Sequence, residues 1–157
     1  MAETTDGIEL IEVERQHTAV VRGTIAMGEL PAFFDSAFEQ LTTVLAQQEM
    51  VLEGPGFALY HGAPAEVARL EVGFPVSSEV TPTGDVEASH LPAGTVARTV
   101  HAGSFDDLGD SWGRLGTWIG AEGLEPGESM WEVYLTEPSP DMDPADLRTE
   151  LNWPVST

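Results

Sequence analysis

Two segments of the chain carry apolar residues at helical spacing. The first segment, residues 29–49, holds the stripe Phe34, Phe38, Leu41 and Leu45. The second segment, residues 104–122, holds the stripe Leu108, Trp112, Leu115 and Ile119, each 74 positions after its counterpart. Steps of four, three and four place these side chains on one face of a helix. The pattern therefore predicts two amphipathic helices that are copies of one another.

Strand-like runs flank both predicted helices in the same order. They comprise residues 19–24 and 95–100 before the helices, 54–60 and 128–134 after them, and 69–76 and 148–155 at the end of each half. A loop signal separates the halves near 78–86. We therefore expect a single α+β domain over residues 1–157, with repeats at about 8–78 and 86–156. Two duplicated β-α-β-β units would be related by a pseudo-twofold axis, with antiparallel sheets, helices on one face and a ligand cleft between the halves.

Alternation along the strand at 128–134 divides its side chains between two faces. Trp131, Val133 and Leu135 share one face, and Glu132 and Tyr134 share the other. Because the first set is wholly apolar, we expect it to meet the second helix. Glu132 and Tyr134 are then predicted to point away from the helices, toward the cleft.

The cleft-facing residues suggest a binding site. Tyr60 occupies the position of Tyr134 in the first half, and a small residue, Ala58, stands in the position of Glu132. A carboxylate among apolar strand neighbours is costly unless another group answers its charge. Glu132 is therefore either solvated, paired with an arginine such as Arg98, or the acidic floor of an aromatic pocket for a cationic or hydrogen-bond-donating ligand.

Three further aromatic residues are candidates for the pocket walls. Phe74 and Trp153 lie at matching strand ends, and Trp112 lies on the second helix. Each could equally belong to the hydrophobic core, and the spacing does not separate the two interpretations.

Charge and composition narrow the classes of partner. The chain has 27 acidic residues against six arginines and no lysine, a formal net charge of -21. Direct nucleic-acid binding and attraction to anionic membranes are therefore not expected. With no cysteine and no metal-like spacing among the four histidines, neither a metal nor a cofactor is expected. The absence of a long apolar run or a signal peptide predicts a cytoplasmic protein, and the acidity is interpreted as a solubility device.

Four segments of the chain carry a resemblance to a known family. They are Gly54-Pro55-x-Phe57 with Tyr60-His61, Glu71–Val76, Gly103–Trp118, and Trp131-Glu132-x-Tyr134-Leu135-Thr136-x-Pro138. Together they resemble the GyrI-like small-molecule-binding domain, the effector-binding module of multidrug-responsive transcription regulators, built from two tandem SHS2 units. The resemblance spans about residues 8–156. It implies that Glu132 engages a cationic, lipophilic ligand and that Tyr134 and Tyr60 form the pocket walls.

The resemblance leaves three functions open. Since the sequence contains no helix-turn-helix segment, the first is a stand-alone effector-binding domain that senses or sequesters an amphipathic, cationic or aromatic molecule. The second is a hydrolase of cyclopropanoid DNA-alkylating natural products, in which Glu132 and Tyr134 would be catalytic. The third is a DNA gyrase inhibitor. We favour the non-enzymatic binder; a protein partner (gyrase or a separate regulator) and the oligomeric state stay open.

Overall fold

The computed structural model describes residues 7–62, 66–136 and 142–157. Within them are two helices, α1 (Leu30–Gln47) and α2 (Leu108–Ala121), and nine strands. The strands are β1 (Glu9–Val13), β2 (Gln16–Ala26), β3 (Phe57–His61), β4 (Val67–Pro75), β5 (Val86–Leu91), β6 (Gly94–Ala102), β7 (Glu125–Pro126), β8 (Ser129–Tyr134) and β9 (Arg148–Ser156). Pro138, which closes the last of the four family-like segments, lies outside the described residues.

The strand order of the sheet shows the duplication directly. Eight antiparallel strands follow the order β1-β6-β9-β8-β3-β4-β2-β5, and β7 pairs with β9. When the order is read inward from its two ends, the strands met in turn correspond between the halves: β1 with β5, β6 with β2, β9 with β4, and β8 with β3. A pseudo-twofold axis therefore passes between β3 and β8. Each half lends an edge strand to the other, because β1 pairs with β6 and β5 pairs with β2. The expected α+β fold with duplicated β-α-β-β units is confirmed.

The two helices form where the apolar stripes predict them. Helix α1 has Pro31 in its first turn, where the missing N–H costs no helical hydrogen bond. Helix α2 follows a short 3-10 turn, Phe105–Asp107, that the Ser104 side chain caps, and Gly123 continues past its end at a positive φ of 73°. Leu41 and Leu115, which are 74 positions apart, are both fully buried against the sheet.

Both helices pack on one face of the sheet, which we call the helix face. The core beneath α1 includes Leu41, Leu70 and Val72, and the core beneath α2 includes Leu115 and Leu151. No helix in the described part of the chain is both long enough and apolar enough to span a membrane.

The opposite face, which we call the second face, is also apolar at its centre. Its buried cluster consists of Val20, Phe57, Leu59, Val96 and Trp131. Strands β2 and β6 contribute to this one cluster although four strands separate them in the sheet order. The sheet must therefore curve around its second face, and this curvature buries side chains that no helix covers.

The curvature overturns one expectation from the sequence. Trp131 and Val133 pack in the second-face cluster, away from α2, whereas Tyr134 packs with the helix-face core and Glu132 lies on its side of β8. The prediction that Glu132 and Tyr134 point away from the helices is wrong. An apolar set of strand residues marks the helix face only where the other face is exposed, and here both faces of β8 are buried. Leu135, just after the strand, is 44% exposed.

Candidate functional site

The candidate site lies at the junction of the two halves. Glu132 on β8 pairs directly with Ala58 on β3, the strand across the pseudo-twofold axis. The carboxyl side chain is buried, with 5% of the residue exposed, and Ala58 is fully buried. Duplication thus brings two equivalent positions together, and the sequence places a carboxyl group at one and a methyl group at the other.

Only neutral groups are bonded to Glu132. The hydroxyl of Tyr134 donates a hydrogen bond of 2.9 Å to Oε2 of Glu132, and the indole N–H of Trp112 is a second neutral donor that lowers the pKa of this carboxyl group. No arginine or histidine of the described residues forms a salt bridge with this carboxyl group. The alternative in which Arg98 answers Glu132 is wrong, since Nε of Arg98 lies 3.3 Å from Glu150.

Burial shifts the protonation equilibria of the site. Removal of Glu132 from water raises its pKa from 4.5 to about 7, although the hydrogen bonds from Tyr134 and Trp112 lower it. Burial and the nearby Glu132 charge raise the pKa values of Tyr60 and Tyr134. Both phenols therefore remain protonated near neutral pH, whereas the carboxyl group of Glu132 titrates there.

Aromatic residues of the first half form one wall. Phe34 on α1 packs edge-on against Tyr134, with ring centroids 6.2 Å apart. Phe34 also stacks on Phe38 at 6.3 Å, and Phe38 meets Phe74 of β4 at 5.4 Å. This chain of rings runs from Tyr134 to the end of β4, and Tyr60 of β3 belongs to the same buried cluster.

Residues of the second half form the other wall. Trp112 on α2 packs edge-on against Trp153 of β9, with centroids 5.7 Å apart. Phe105, in the 3-10 turn before α2, packs on Tyr134 at 6.1 Å. Trp112 and Trp153 contact the cores beneath both helices, so they bridge the two halves.

The residues suggested by the sequence lie at two distances from the carboxyl group of Glu132. Tyr134 donates to Glu132 directly, and Trp112 is a neutral donor that lowers the pKa of Glu132. Tyr60 lies on the same face of the adjacent strand, opposite Met130. Phe74 and Trp153 lie farther out, against Phe38 and Trp112 respectively. Whether these residues bind a ligand stays a prediction.

Sequence reasoning missed three aromatic neighbours of the site: Phe34, Phe38 and Phe105. The first two belong to the α1 stripe, which predicts an amphipathic helix and does not separate wall residues from core residues. Once Glu132 is known to lie on the helix face, the stripe itself identifies them as candidates for the wall. Phe105 precedes α2 and carries no periodic signal.

The site is closed in this structure. Phe34 and Phe105 both pack edge-on against Tyr134, and Glu132 is almost fully shielded. Open depressions lie elsewhere on the described residues, among them one along α2 beside Arg114 and one on the second face beside Arg69. Among residues 7–62, 66–136 and 142–157, no group of three His, Asp or Glu side chains could hold a metal ion.

Comparison with known proteins supports a small-molecule-binding fold. A family model described as the GyrI-like small molecule binding domain matches residues 7–156. No curated protein matches the chain significantly in sequence. EcmrR, solved in a complex with DNA, superimposes with a TM-score of 0.84 at 21% identity, covering 96% of this chain and 57% of the EcmrR chain. The chain thus spans little more than half the length of EcmrR.

Three smaller structures match over nearly their whole length. The C-terminal domain of EcmrR has a TM-score of 0.76 at 21% identity, covering 96% of this chain and 97% of that one. A hydrolase from Listeria innocua has a TM-score of 0.68 at 19% identity, with coverage of 98% and 93%. SAV2435, solved with bound tetraphenylphosphonium, has a TM-score of 0.67 at 10% identity, with coverage of 95% and 93%. At these identities the likeness is one of fold.

Proposed function

Because the chain belongs to the GyrI-like small-molecule-binding domain family, we propose that it binds an amphipathic organic cation between α1 and α2, against Glu132. One observation carries the proposal. A carboxyl group that is only 5% exposed lies among aromatic rings, and only neutral donors are bonded to it.

The electrostatics of the site favour a positively charged ligand. A buried carboxylate without a counter-ion loses much of its hydration free energy, which an opposite charge placed beside it restores. Aromatic faces add attraction for a desolvated cation, on the order of 2 kcal/mol. Tyr134 and Trp112 would supply such faces next to Glu132. Tetraphenylphosphonium, the ligand printed for SAV2435, is a cation of this class.

The closed state implies that ligand entry displaces side chains. Phe34 and Phe105 both pack against Tyr134. We expect these two rings to rotate away when a bulky cation enters. The overall charge of -21 raises the local cation concentration around the domain, which speeds encounter at low ionic strength.

Tetraphenylphosphonium binding to the full chain tests the proposal. Glu132→Gln keeps the shape but removes the charge, and we expect affinity at pH 8 to fall 10- to 100-fold by calorimetry, because a charge-assisted interaction contributes about 1.5–3 kcal/mol. Glu150→Gln is the matched control, since Glu150 pairs with Arg98 on the second face. Equal affinities of wild type and Glu132→Gln would refute the proposal.

A second function, hydrolysis of a cyclopropanoid compound, draws support from the Glu132–Tyr134 pair. A pKa of about 7 suits a general base, and the Tyr134 hydroxyl is a donor in direct contact with it. Water oxygen would bond to a ring carbon while Glu132 takes its proton. The breaking C–C bond would send its electrons into the conjugated carbonyl, which Tyr134 protonates, and the proton on Glu132 then returns to Tyr134.

Turnover distinguishes the enzyme from the binder. A hydrolase yields the ring-opened product by chromatography, and Glu132→Gln and Tyr134→Phe should each abolish it. A binder raises the melting temperature with organic cations and forms no product. Inhibition of DNA gyrase stays a prediction from the family resemblance, and a supercoiling assay with wild-type protein tests it.

A further inference from the structure

The depression on the second face lies outside the proposed cation site. It has a volume of about 380 Å³ and is lined by Arg22, Gly23, Thr24, His61, Arg69 and Leu70. These residues belong to β2, β3 and β4. Small-molecule sites begin at roughly 300 Å³, so the depression has room for more than a bare ion. Alternation along the strands places Arg22, Thr24, His61 and Arg69 on the face opposite Glu132.

A buried carboxylate, Glu71, contacts two of the lining residues, Arg22 and His61. Glu71 is 4% exposed and accepts a hydrogen bond of 2.7 Å from Oγ of Ser89. Nε2 of His61 lies 2.5 Å from Oε2 of Glu71, and Nε of Arg22 lies 3.7 Å from the same oxygen. Polar or basic side chains from three strands, β2, β3 and β5, therefore already surround the Glu71 carboxylate.

Arg69 does not take part in this network around Glu71. Its side chain is exposed, and it forms no salt bridge with a carboxylate of the described residues. Arg22 contacts Glu87 only loosely, at 3.5 Å, and its side chain is 51% exposed. Two of the chain's six arginines and one histidine thus line a single depression, in a protein with 27 acidic residues.

We propose that this depression binds a phosphate group of a small molecule through Arg69, Arg22 and the Thr24 hydroxyl. Guanidinium groups bind phosphate through paired hydrogen bonds, and the Thr24 hydroxyl is a further donor. Glu71 would hold His61 and Arg22 in place without contacting the phosphate. The proposal does not depend on the cation site, which lies on the other face of the sheet.

The second half of the molecule lacks the same arrangement. Arg148 is the counterpart of Arg69 in the repeat, but its guanidinium donates to the backbone oxygens of Ala145 and Leu147. Leu135 stands where the first half has His61. The duplication therefore provides a matched control, an arginine at the equivalent position whose Nη1 already donates to backbone oxygens.

Titration of the full chain with inorganic phosphate tests the proposal. Binding is followed by NMR shifts of the Thr24 and His61 amides and by melting temperature, with chloride at equal ionic strength as the reference. We expect Arg69→Gln to weaken phosphate binding at least tenfold and Arg148→Gln to leave it within twofold. Glycerol phosphate should bind as well as phosphate, and acetate should bind more weakly.

The alternatives give different results. If phosphate and chloride produce the same response, or if Arg69→Gln and Arg148→Gln weaken binding equally, the depression is only a surface feature of the Glu71 network and the proposal is overturned. Glu132→Gln should leave phosphate binding unchanged, so failure of this proposal and failure of the cation site are distinguished by one panel of variants.

Discussion

Glu132 and Glu71 are buried to nearly the same extent on opposite faces of one sheet, but their surroundings differ. Glu132 is 5% exposed and Glu71 is 4% exposed. Glu71 has a histidine, a serine hydroxyl and an arginine around it, whereas only neutral hydrogen-bond donors contact Glu132. The difference teaches that burial alone does not indicate function. A buried carboxyl group that has no counter-ion within the protein is the better candidate for a ligand-binding group.

The largest expected effect concerns the charge of Glu132. A folded-state pKa of about 7 against 4.5 in the unfolded chain means that the folded protein binds the extra proton between these pH values. Stability from this group is fully present below about pH 4.5 and is lost as pH rises to about 7, by about 3 kcal/mol.

Glu132→Gln should therefore gain stability relative to wild type as pH rises from 4.5 to 8, by urea unfolding. The other carboxyl groups titrate in both proteins, so the difference isolates Glu132. A difference that stays constant with pH would show that Glu132 is not held neutral by burial.

Replacement of Glu71 should destabilise the protein, which is opposite to the relative gain in stability expected for Glu132→Gln at high pH. Glu71→Ala leaves the Ser89 hydroxyl and His61 without their partner, and we expect a loss of about 2 kcal/mol at pH 7. The loss is limited because the side chains of Arg22 and His61 are 51% and 37% exposed and can regain water.

Glu87→Ala is the control for Glu71→Ala, measured by the same urea unfolding. Its side chain is 49% exposed, and its pairing with Arg22 should contribute less than about 1 kcal/mol. If Glu71→Ala proved no more harmful than Glu87→Ala, the contrast between the two buried carboxyl groups would fail.

The smallest expected effect distinguishes the hydrogen-bonding contribution of Trp112 to stability from its packing contribution. Trp112→Phe removes the indole donor to Glu132, which raises the pKa of Glu132 further. We expect an additional loss of about 1 kcal/mol above pH 7 relative to pH 4.5, because the lost bond stabilised the carboxylate. Trp118→Phe on the same helix should show a loss that does not change with pH. Identical pH profiles for the two variants would contradict a role for Trp112 at Glu132.

The sequence predicted the repeated elements well because their signals are local. Helical spacing located α1 and α2, and the paired Tyr60 and Tyr134 located β3 and β8 with the correct offset. The edge strands β1 and β5 escaped notice. Each pairs with a strand of the other half, and no local pattern specifies a pairing between distant segments.

The pairing of Glu132 with Ala58 was predicted better than the face of the sheet on which the two residues lie. Glu132, with Ala58 opposite it, follows from aligning the two halves. The assignment of faces failed because Trp131 is buried by the curvature of the sheet, which depends on all strands together. A sequence pattern shows which residues share a face, but it does not show which face the helices cover when both are buried.

The exchanged edge strands also bear on how such a domain folds. β1 pairs with β6 across 81 to 89 residues of chain, so the first strand synthesised must wait for the second half before it joins the sheet, and such long-range pairing slows folding. An isolated half would expose an open strand edge. Two separate halves could close each other's edges by exchanging their first strands, as a domain-swapped homodimer does.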